Sequence, residues 1–129
     1  MKWDMNFICE LDLAIYRAVT RDITATEVIV TDVQLRHIRE RHPDIAENAE
    51  EYLREAILHP DYILETDRPY TANVLKQFTV DGRGYQLVLR LKTSADPAEY
   101  KNSVITFMSV NPKRWRQYLR NRRILYKRE

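Results

Sequence analysis

The sequence predicts an α+β fold in which helices are followed by an antiparallel meander of strands. Apolar residues recur at helical spacing up to His59-Pro60, and beyond Pro60 they recur at every second position. Asp81-Gly82-Arg83-Gly84 is the clearest turn signal of the chain and predicts a hairpin between two of the strands. These observations place the helices first and the sheet second.

Length and composition indicate a single folded domain. The chain has 129 residues, of which 44% are hydrophobic and 31% charged, a balance typical of folded proteins. We expect one domain over residues 1–129, with residues 1–26 as an N-terminal extension. No apolar stretch approaches the roughly 18 residues that a membrane-spanning helix needs, so no membrane partner is expected.

The N-terminus and the cysteine content predict a cytoplasmic protein. Met1-Lys2-Trp3-Asp4 meets an acidic residue too early for a secretory signal, and no apolar signal core follows. Cys9 is the only cysteine, so no internal disulfide can form, which favours a reducing compartment. The simplest role for Cys9 is that of a small buried hydrophobic residue.

Charge is unevenly distributed, although the net charge is only +2. Residues 44–67 contain eight acidic residues and one basic residue, whereas residues 113–129 contain eight basic residues and one acid. This predicts an acidic helical face and a basic C-terminal surface. The basic segment also contains Trp115, Tyr118 and Tyr126, so it either meets a phosphate backbone or forms a solvated final helix.

Short elements are predicted at the start of the chain. Residues 7–20 fit both a strand and a helix, and we favour a strand over 6–11 followed by a short helix after Asp12. A β-branched strand is predicted over Glu27–Val30. Thr31-Asp32 then supplies N-cap chemistry for a helix over Val33–Arg41.

The second long helix and the strands follow. Pro43 ends the first long helix, and Asp44 is expected to cap the next one. The apolar stripe of that second helix consists of Ile45, Ala49, Leu53, Ala56 and Ile57. The predicted strands are Tyr62–Glu65, Asn73–Val80, Tyr85–Lys92 and Ser103–Val110. Pro112 opens a last helix to about Arg122, with Ile124–Tyr126 as a candidate closing strand.

Two histidines in the first long helix are expected on opposite sides of it. At about 100° per residue, Leu35, Ile38 and His42 share one face, whereas His37 and Arg41 share the other. His42 therefore suits packing and capping of the helix end. His37 is either an ordinary exposed histidine or a proton-transfer residue, because an imidazole titrates near neutral pH.

The register of the predicted hairpin indicates two cationic residues as candidate phosphate ligands. With Gly82-Arg83 at its tip, Phe78 faces Leu87 and Val80 faces Tyr85, and Arg90 then emerges on the face away from most apolar residues. Arg90 is either an exposed sheet arginine or a guanidinium aimed at a phosphate. By the same register Lys76 lies among apolar neighbours, as a phosphate ligand or a snorkelling side chain.

Other motifs are few. Ser103 and Thr106 either bond locally within their strand or present hydroxyls to a ligand, and the pattern leaves their face undecided. No glycine-rich phosphate loop and no Gly-x-Ser-x-Gly motif occurs, which argues against nucleotide hydrolases and α/β-hydrolases. The sequence also lacks a cysteine cluster, a His-Glu-x-x-His motif and an Asp-rich loop, so neither a metal nor a cofactor is expected.

Several segments together resemble a known family. The run Glu27–Asp32 followed by Arg36–Pro43 is similar to the opening of phage nucleases of the barnase, EndoU, colicin and RelE-like (BECR) superfamily. The likeness continues, in the same order, through residues 59–63, 85–93, 100–107 and 119–127. The resemblance implies helices packed on one face of a mainly antiparallel sheet of four to five strands, a C-terminal helix, and a nucleic-acid-binding cleft on the other face.

The resemblance also implies ribonucleases of prophages and mobile elements, often toxin or effector modules. Cutting RNA without a metal requires a base for the 2′-hydroxyl, a cation for the phosphorane and an acid for the departing oxygen. The expected catalytic residues are His37, Arg90, Thr106, Ser103 and Lys76, with His42 as the substitute for His37 if the helix is rotated. The residues expected to contact RNA are Arg36, Arg41, Lys92, Lys113, Arg116 and Arg120.

Two other functions fit the sequence. A non-catalytic nucleic-acid-binding module would use the basic C-terminal segment and would bind without cutting. A phage accessory protein would instead use the acidic second helix as a contact surface for another protein. For the nuclease, we expect tRNA or mRNA as the substrate and an immunity or antitoxin protein as a candidate partner.

Overall fold

The computed structural model describes residues 4–129. Met1–Trp3, which belong to the segment that was expected not to be a secretory signal, lie outside the described residues. Within the described chain, seven strands form one sheet: β1 (Met5–Glu10), β2 (Glu27–Thr31), β3 (Tyr62–Leu64), β4 (Thr71–Gln77), β5 (Gly84–Arg90), β6 (Asn102–Val110) and β7 (Ile124–Lys127). Its α-helices are α1 (Leu13–Tyr16), α2 (Asp32–Arg41), α3 (Ala49–Leu58) and α4 (Pro112–Asn121). The α+β class is confirmed.

The sheet is larger than predicted and is mixed. Its strand order is β1-β2-β6-β5-β4-β3-β7, and all neighbours are antiparallel except β2 and β6. The expected four to five strands correspond to the antiparallel part. The prediction missed the parallel pairing because strand periodicity does not indicate the partner of a strand. The predicted sheet therefore did not include the two N-terminal strands.

The helix α2 forms as its sequence predicts. The Thr31 hydroxyl accepts a hydrogen bond from the Gln34 amide at 3.2 Å, which caps the first turn. Leu35 and Ile38 are buried, and His37 is exposed on the opposite side. The predicted division of this helix into an apolar and a polar face is therefore confirmed.

The segment between α2 and α3 differs from the prediction. A 3-10 helix over Pro43–Asn48 precedes α3, and Asp44 does not cap it. The Asp44 carboxylate instead pairs with the Arg83 guanidinium at the hairpin tip, so the charge of Arg83 drew it away from the helix end. The predicted stripe is nevertheless buried: Ile45, Ala49, Leu53, Ala56 and Ile57 are each at most 5% exposed.

One apolar cluster joins α2 and α3 to the sheet. It includes alternate residues of the central strands, among them Val74 of β4 and Leu87 and Leu89 of β5. We call this side of the sheet the helix face. The other side, which we call the second face, carries the residues in between, such as Asn73, Gln86, Val88 and Arg90.

The register of the β4–β5 hairpin corrects the sequence prediction. Lys76 pairs with Tyr85 and Gln77 with Gly84, whereas the prediction paired Phe78 with Leu87. The turn is longer than expected because the Phe78 amide bonds to the Arg83 carbonyl, and the Gly82 amide bonds to the Phe78 carbonyl. The error was an even number of residues, so the predicted faces of the β5 side chains remain right.

The C-terminal helix α4 lies on the second face rather than with the other helices. Its N-terminus is capped by Asn111, whose side-chain oxygen accepts a hydrogen bond from the Arg114 amide at 2.8 Å. The Tyr118 hydroxyl donates to the side-chain oxygen of Gln86 at 3.1 Å. The Trp115 ring packs edge-on against Tyr62, with 6.2 Å between ring centres. The second face is thus covered at one end and open at the other.

Two expectations about individual features can be checked in the described residues. Cys9 is buried, and burial raises the pKa of its thiol to about 11. This agrees with its predicted role as a packing residue. Within residues 4–129, no helix is long and apolar enough to cross a membrane.

Candidate nucleic-acid interface

A groove opens on the second face of the sheet, between the β3–β4 loop and the C-terminal end of α4. Its volume is about 320 Å³. The floor is formed by β4, β5 and β6. We call it the sheet groove, and its polar lining consists of Thr66, Asp67, Arg68, Thr71, Asn73, Gln86, Thr106, Tyr118 and Arg122.

Two arginines give the sheet groove its positive charge. Arg68 lies in the β3–β4 loop and Arg122 caps the C-terminal end of α4. Both are exposed, and neither guanidinium has an ion pair or a hydrogen bond with any residue from 4 to 129. Two unpaired guanidiniums at one groove form a site that favours a phosphate or a carboxylate.

The position of α4 decides the shape of the groove. Gly84 allows the close approach of this helix, since a Cβ atom there would lie 2.8 Å from the Trp115 ring. The bond from Tyr118 to Gln86 fixes the middle of the helix over β5. Arg122 therefore stands at the rim of the groove because the turns before it are anchored to the sheet.

Arg90 lies on the same face, one step beyond the groove. It pairs across the strands with Thr71, a groove residue, and with Ser103. Its guanidinium makes two bonds to the Asp96 carboxylate, at 3.1 and 3.2 Å, and another to the Leu91 carbonyl. About a third of the Arg90 side chain remains exposed.

The loop beside Arg90 is conformationally strained. Tyr70 has a φ of 56°, in the left-handed region that tyrosine rarely adopts. This conformation is accompanied by a bond from the Leu91 amide to the Tyr70 carbonyl, and it puts the ring 5.5 Å from the Arg90 guanidinium. Strain of this kind persists only where the surroundings enforce it, and it marks this end of the second face as a candidate site.

Asp96 keeps Arg90 in place. The Thr93 amide donates to the Asp96 carboxylate at 2.8 Å. This backbone bond, followed by the ion pair with Arg90, lowers the pKa of the carboxyl. Arg90 is therefore held by a charged partner and is not free to follow a ligand, unlike Arg68 and Arg122.

Asn73 stands out among the polar residues of the groove. It lies in the middle of β4, is only 4% exposed, and its side-chain oxygen is buried without a hydrogen-bond partner. Its side-chain amide makes no hydrogen bond within residues 4–129. Buried polar groups are nearly always paired, so this one needs an explanation.

Neither His37 nor His42 reaches the second face. His37 is exposed on the outer side of α2, which itself packs on the helix face, so the core and the sheet separate it from Arg90. His37 and Arg90 were both expected to be catalytic, which would require them to meet at one site, and the structure shows that they do not. The sequence placed both groups on polar faces, but it did not show that those faces lie on opposite sides of the sheet.

His42, the alternative to His37, is buried in the core. It is 7% exposed, its Nε2 lies 3.1 Å from the Phe107 carbonyl, and its ring packs edge-on against Tyr85 and Phe107. This placement agrees with the predicted packing role and gives no access to a substrate.

Two predicted lysines are also buried. The Lys76 ammonium donates to the His59 carbonyl at 2.7 Å and lies near the carboxylates of Glu55 and Asp61, at 3.6 and 3.9 Å. The Lys92 ammonium donates to the Thr24 hydroxyl at 2.8 Å, and the residue is 8% exposed. Both were expected at phosphates, but their partners belong to the fold.

The remaining predicted residues divide between the two sides. Thr106 lines the groove and Ser103 lies beside Arg90, both half-buried. Arg36 and Arg41 are exposed on α2, away from the groove. The predicted RNA contacts on α4, Lys113, Arg116 and Arg120, are all exposed.

Sequence reasoning missed most of the groove. Asn73 carried a signal, because asparagine is disfavoured in strands and this one is the third residue of β4. Tyr118 and Arg122 were noticed only as members of a basic and aromatic segment. Arg68 carried no signal, since its place depends on the path of the β3–β4 loop.

A larger hollow lies at the other end of α4. It measures about 420 Å³ and is lined by Trp115, Arg116 and Arg83 among others, but the Arg83 guanidinium is already paired with Asp44. In residues 4–129, no three histidine, cysteine or acidic side chains come close enough together to hold a metal ion. The sheet groove thus combines unpaired cations, hydroxyls and an unpaired amide, which suits a phosphate-bearing ligand.

Comparison with protein families supports a nucleic-acid ligand. A family model described as phage-Barnase-EndoU-ColicinE5/D-RelE like nuclease 2 matches residues 7–127. The chain belongs to this family. The predicted resemblance is confirmed, and membership in this phage nuclease family indicates nuclease chemistry. No curated protein and no solved structure matches the chain.

Proposed function

We propose that this family member is a metal-independent endoribonuclease that binds an RNA strand across the second face and cuts it in the sheet groove. The observation that carries the proposal is the pair of unpaired guanidiniums, Arg68 and Arg122, at one groove of a nuclease-family domain. A phosphodiester between them would meet two planar donors without displacing a protein carboxylate.

The basic residues on α4 extend this surface. Lys113, Arg116 and Arg120 are exposed on the helix whose C-terminal end forms the groove rim. RNA that follows α4 would therefore pass from these side chains to Arg122. Such phosphate contacts add affinity without sequence preference, and they make binding depend on salt.

The proposed reaction is attack by the 2′-hydroxyl on the adjacent phosphorus. A base removes the hydroxyl proton, the P–O5′ bond breaks, and an acid protonates the leaving oxygen, so that a 2′,3′-cyclic phosphate and a 5′-hydroxyl result. Asp67 and Tyr118 are the groove residues suited to these proton transfers: the carboxylate as base and the hydroxyl as acid. Arg68 and Arg122 stabilise the extra charge of the phosphorane.

Arg90 acts as a second phosphate contact at the edge of the groove. Its Asp96 partner and the Tyr70 ring fix its direction, and its exposed part can meet the next phosphate of the strand. Thr106 and Ser103 stand on the neighbouring strand and can orient the same backbone.

Cleavage of matched RNA and DNA tests the proposal. Purified protein is incubated in excess EDTA with labelled RNA and with DNA of the same sequence. We expect RNA alone to be cut, with cyclic phosphate ends, and we expect Arg122→Ala to lower the cleavage rate by about 100-fold or more, a size typical for loss of one transition-state contact.

Variants on the opposite side of the sheet provide the contrast. His37→Ala and Arg41→Ala remove an imidazole and a guanidinium from the outer side of α2. Neither change should alter the rate by more than about twofold, because both residues lie away from the groove. If His37→Ala abolishes cleavage while Arg122→Ala does not, the groove is not the active site. If RNA stays intact at excess protein, the catalytic proposal fails and binding alone remains.

The toxin role is a separate part of the proposal. A phage nuclease that cuts tRNA or mRNA in the cytoplasm of its bacterial host would arrest growth of that host. The host would then need an immunity or antitoxin protein while the nuclease is produced. Expression of the wild-type chain beside Arg122→Ala measures this. Equal growth of the two strains, with equal protein levels, contradicts a toxin role but leaves the nuclease proposal standing.

A further inference from the structure

Asn73 is unusual because no residue from 4 to 129 forms a hydrogen bond with its side chain. It is 4% exposed, yet its side-chain oxygen is buried without a partner. Its neighbours across the sheet are Val88 on β5 and Leu64 on β3. An apolar residue would suit such a position better, because a buried unpaired amide loses its bonds to water without replacement.

Asn102 shows what a structural asparagine looks like in the same sheet. It is fully buried, its side-chain oxygen accepts from the Lys92 amide at 2.8 Å, and its amide nitrogen donates to the carbonyls of Ala25 and Glu27 at 2.8 and 3.0 Å. The side-chain oxygen and both amide hydrogens of Asn102 bond to the fold. None of those of Asn73 does.

The surroundings of Asn73 indicate which ligand would meet it. The residue lines the sheet groove, together with the apolar side chains of Val88 and Ile105 and the guanidiniums of Arg68 and Arg122. A flat ring can lie against apolar side chains and arginine planes, while a phosphate attached to it meets the guanidiniums. A groove of about 320 Å³ holds one such unit rather than a duplex.

The amide itself points to the same ligand. No protein bond fixes its orientation, so a half-turn exchanges oxygen and nitrogen and brings either a donor or an acceptor to the groove. Nucleobase edges carry donors beside acceptors, so whichever atom of the amide faces the groove can find a partner there. A phosphate offers acceptors alone.

We propose that Asn73 pairs with the edge of one unstacked nucleobase of the RNA bound in the sheet groove and determines the base preference of cleavage. This rests on the proposed function, and it adds that the substrate is single-stranded at the cut. The Asn73 amide selects the base, while Arg68 and Arg122 hold the backbone without selecting it.

Cleavage of an RNA library with one randomised position tests the assignment. We expect the wild-type protein to prefer one base by about tenfold or more, because a base that leaves the buried amide unpaired is bound more weakly. Asn73→Leu should reduce the preference to about threefold or less, and Asn73→Asp should shift it toward bases that present donors. The melting temperature of Asn73→Leu should be equal to that of the wild-type chain or higher, whereas a structural role would lower it.

Asn48→Leu and Asn48→Asp are the matched controls. Asn48 is exposed, its side chain makes no capping bond, and it lies at the start of α3 on the other side of the sheet. Both controls should keep the wild-type base preference. If Asn73→Leu keeps it as well, the assignment is overturned while the nuclease proposal stands.

Nucleotide binding separates failure of this inference from failure of the nuclease proposal. Affinities of the four nucleoside 5′-monophosphates are measured by NMR titration of the wild-type and Asn73→Leu proteins. Unequal affinities that the variant makes equal support the assignment even if no RNA is cut. Equal affinities for the wild-type protein, or unequal ones that Asn73→Leu leaves unchanged, overturn it.

Discussion

The polar residues on the two faces of the sheet differ in whether their side chains have partners in the protein. On the helix face, Lys76 and His42 are buried, but the ammonium of one and the ring of the other have protein partners. On the second face, Asn73, Arg68 and Arg122 have no side-chain partner within residues 4–129. The first pattern satisfies the needs of folding, and the second leaves bonding groups for something that is not part of the fold.

Burial alone therefore does not distinguish the two kinds of residue. Lys76, at 5% exposed, and Asn73, at 4%, are equally hidden from solvent. What differs is whether the polar atoms are used. The comparison predicts that substitutions on the helix face will lower stability, whereas substitutions in the groove will lower activity.

The largest effect on stability is expected from Asn102→Leu, compared with Asn73→Leu. Asn102→Leu removes three buried hydrogen bonds to the backbone of Lys92, Ala25 and Glu27, so the free energy of unfolding should fall by about 3 kcal/mol or more. Asn73→Leu removes no bond and should change it by less than about 1 kcal/mol. Urea unfolding measures both. Equal losses for the two variants would end the contrast between them.

Much of the fold follows from local sequence signals. Thr31 caps α2 and the apolar stripe of α3 is buried, because capping and helical spacing act within a few residues. The predicted β4–β5 register was wrong because the sequence suggested a turn with Gly82-Arg83 at its tip. In the structure the turn is longer and closes with a bond between Phe78 and Arg83. Parallel pairing of β2 with β6 could not be predicted, since the partners are far apart in the chain.

The candidate site was harder to predict for a physical reason. Arg90 was placed on the second face by alternation along its strand, which is a local property. The sequence pattern left the face of Thr106 undecided, and only the structure shows it opposite Val88 on the second face. His37 was placed on the polar side of its helix correctly, but the side of the sheet on which α2 packs depends on the whole fold. Arg68 and Arg122 line the same groove only because the β3–β4 loop and α4 lie close together, and no local sequence pattern predicts this proximity.

An intermediate effect is expected from Gly84→Ala, which tests whether the groove depends on the docking of α4. The added Cβ would lie 2.8 Å from the Trp115 ring and 3.3 Å from the Val110 carbonyl. The Trp115 ring must shift, and we expect α4 to shift with it. Such overpacking costs about 1–3 kcal/mol of unfolding free energy. Because Tyr118 and Arg122 move with the helix, RNA cleavage should fall by more than the loss of folded protein explains.

Gly82→Ala is the matched comparison for that prediction. Gly82 has a φ of 70°, but a Cβ there meets no atom within 4 Å, so the change strains the hairpin tip without moving α4. Its loss of stability should leave cleavage per folded molecule unchanged. If both variants lose activity in proportion to unfolding alone, the position of α4 does not control the groove.

The smallest effect is expected from Asp96→Asn, which tests the charged partner of Arg90. The folded-state pKa of Asp96 is lowered, first by the backbone bond from Thr93 and then by Arg90. A lowered pKa means that the carboxylate stabilises the fold above the ordinary pKa of an aspartic acid, and that this stabilisation is lost as the pH falls through the folded value. Asp96→Asn should therefore weaken the acid-side decline of the melting temperature and leave the neutral side flat. Asp96→Asn should also free the Arg90 guanidinium, which is a third exposed, and raise the salt dependence of RNA binding.

Two outcomes would contradict these expectations. An unchanged acid-side slope of the melting temperature would mean that the Asp96–Arg90 pair contributes nothing to stability. An unchanged salt dependence of RNA binding would mean that Arg90 is not a phosphate contact.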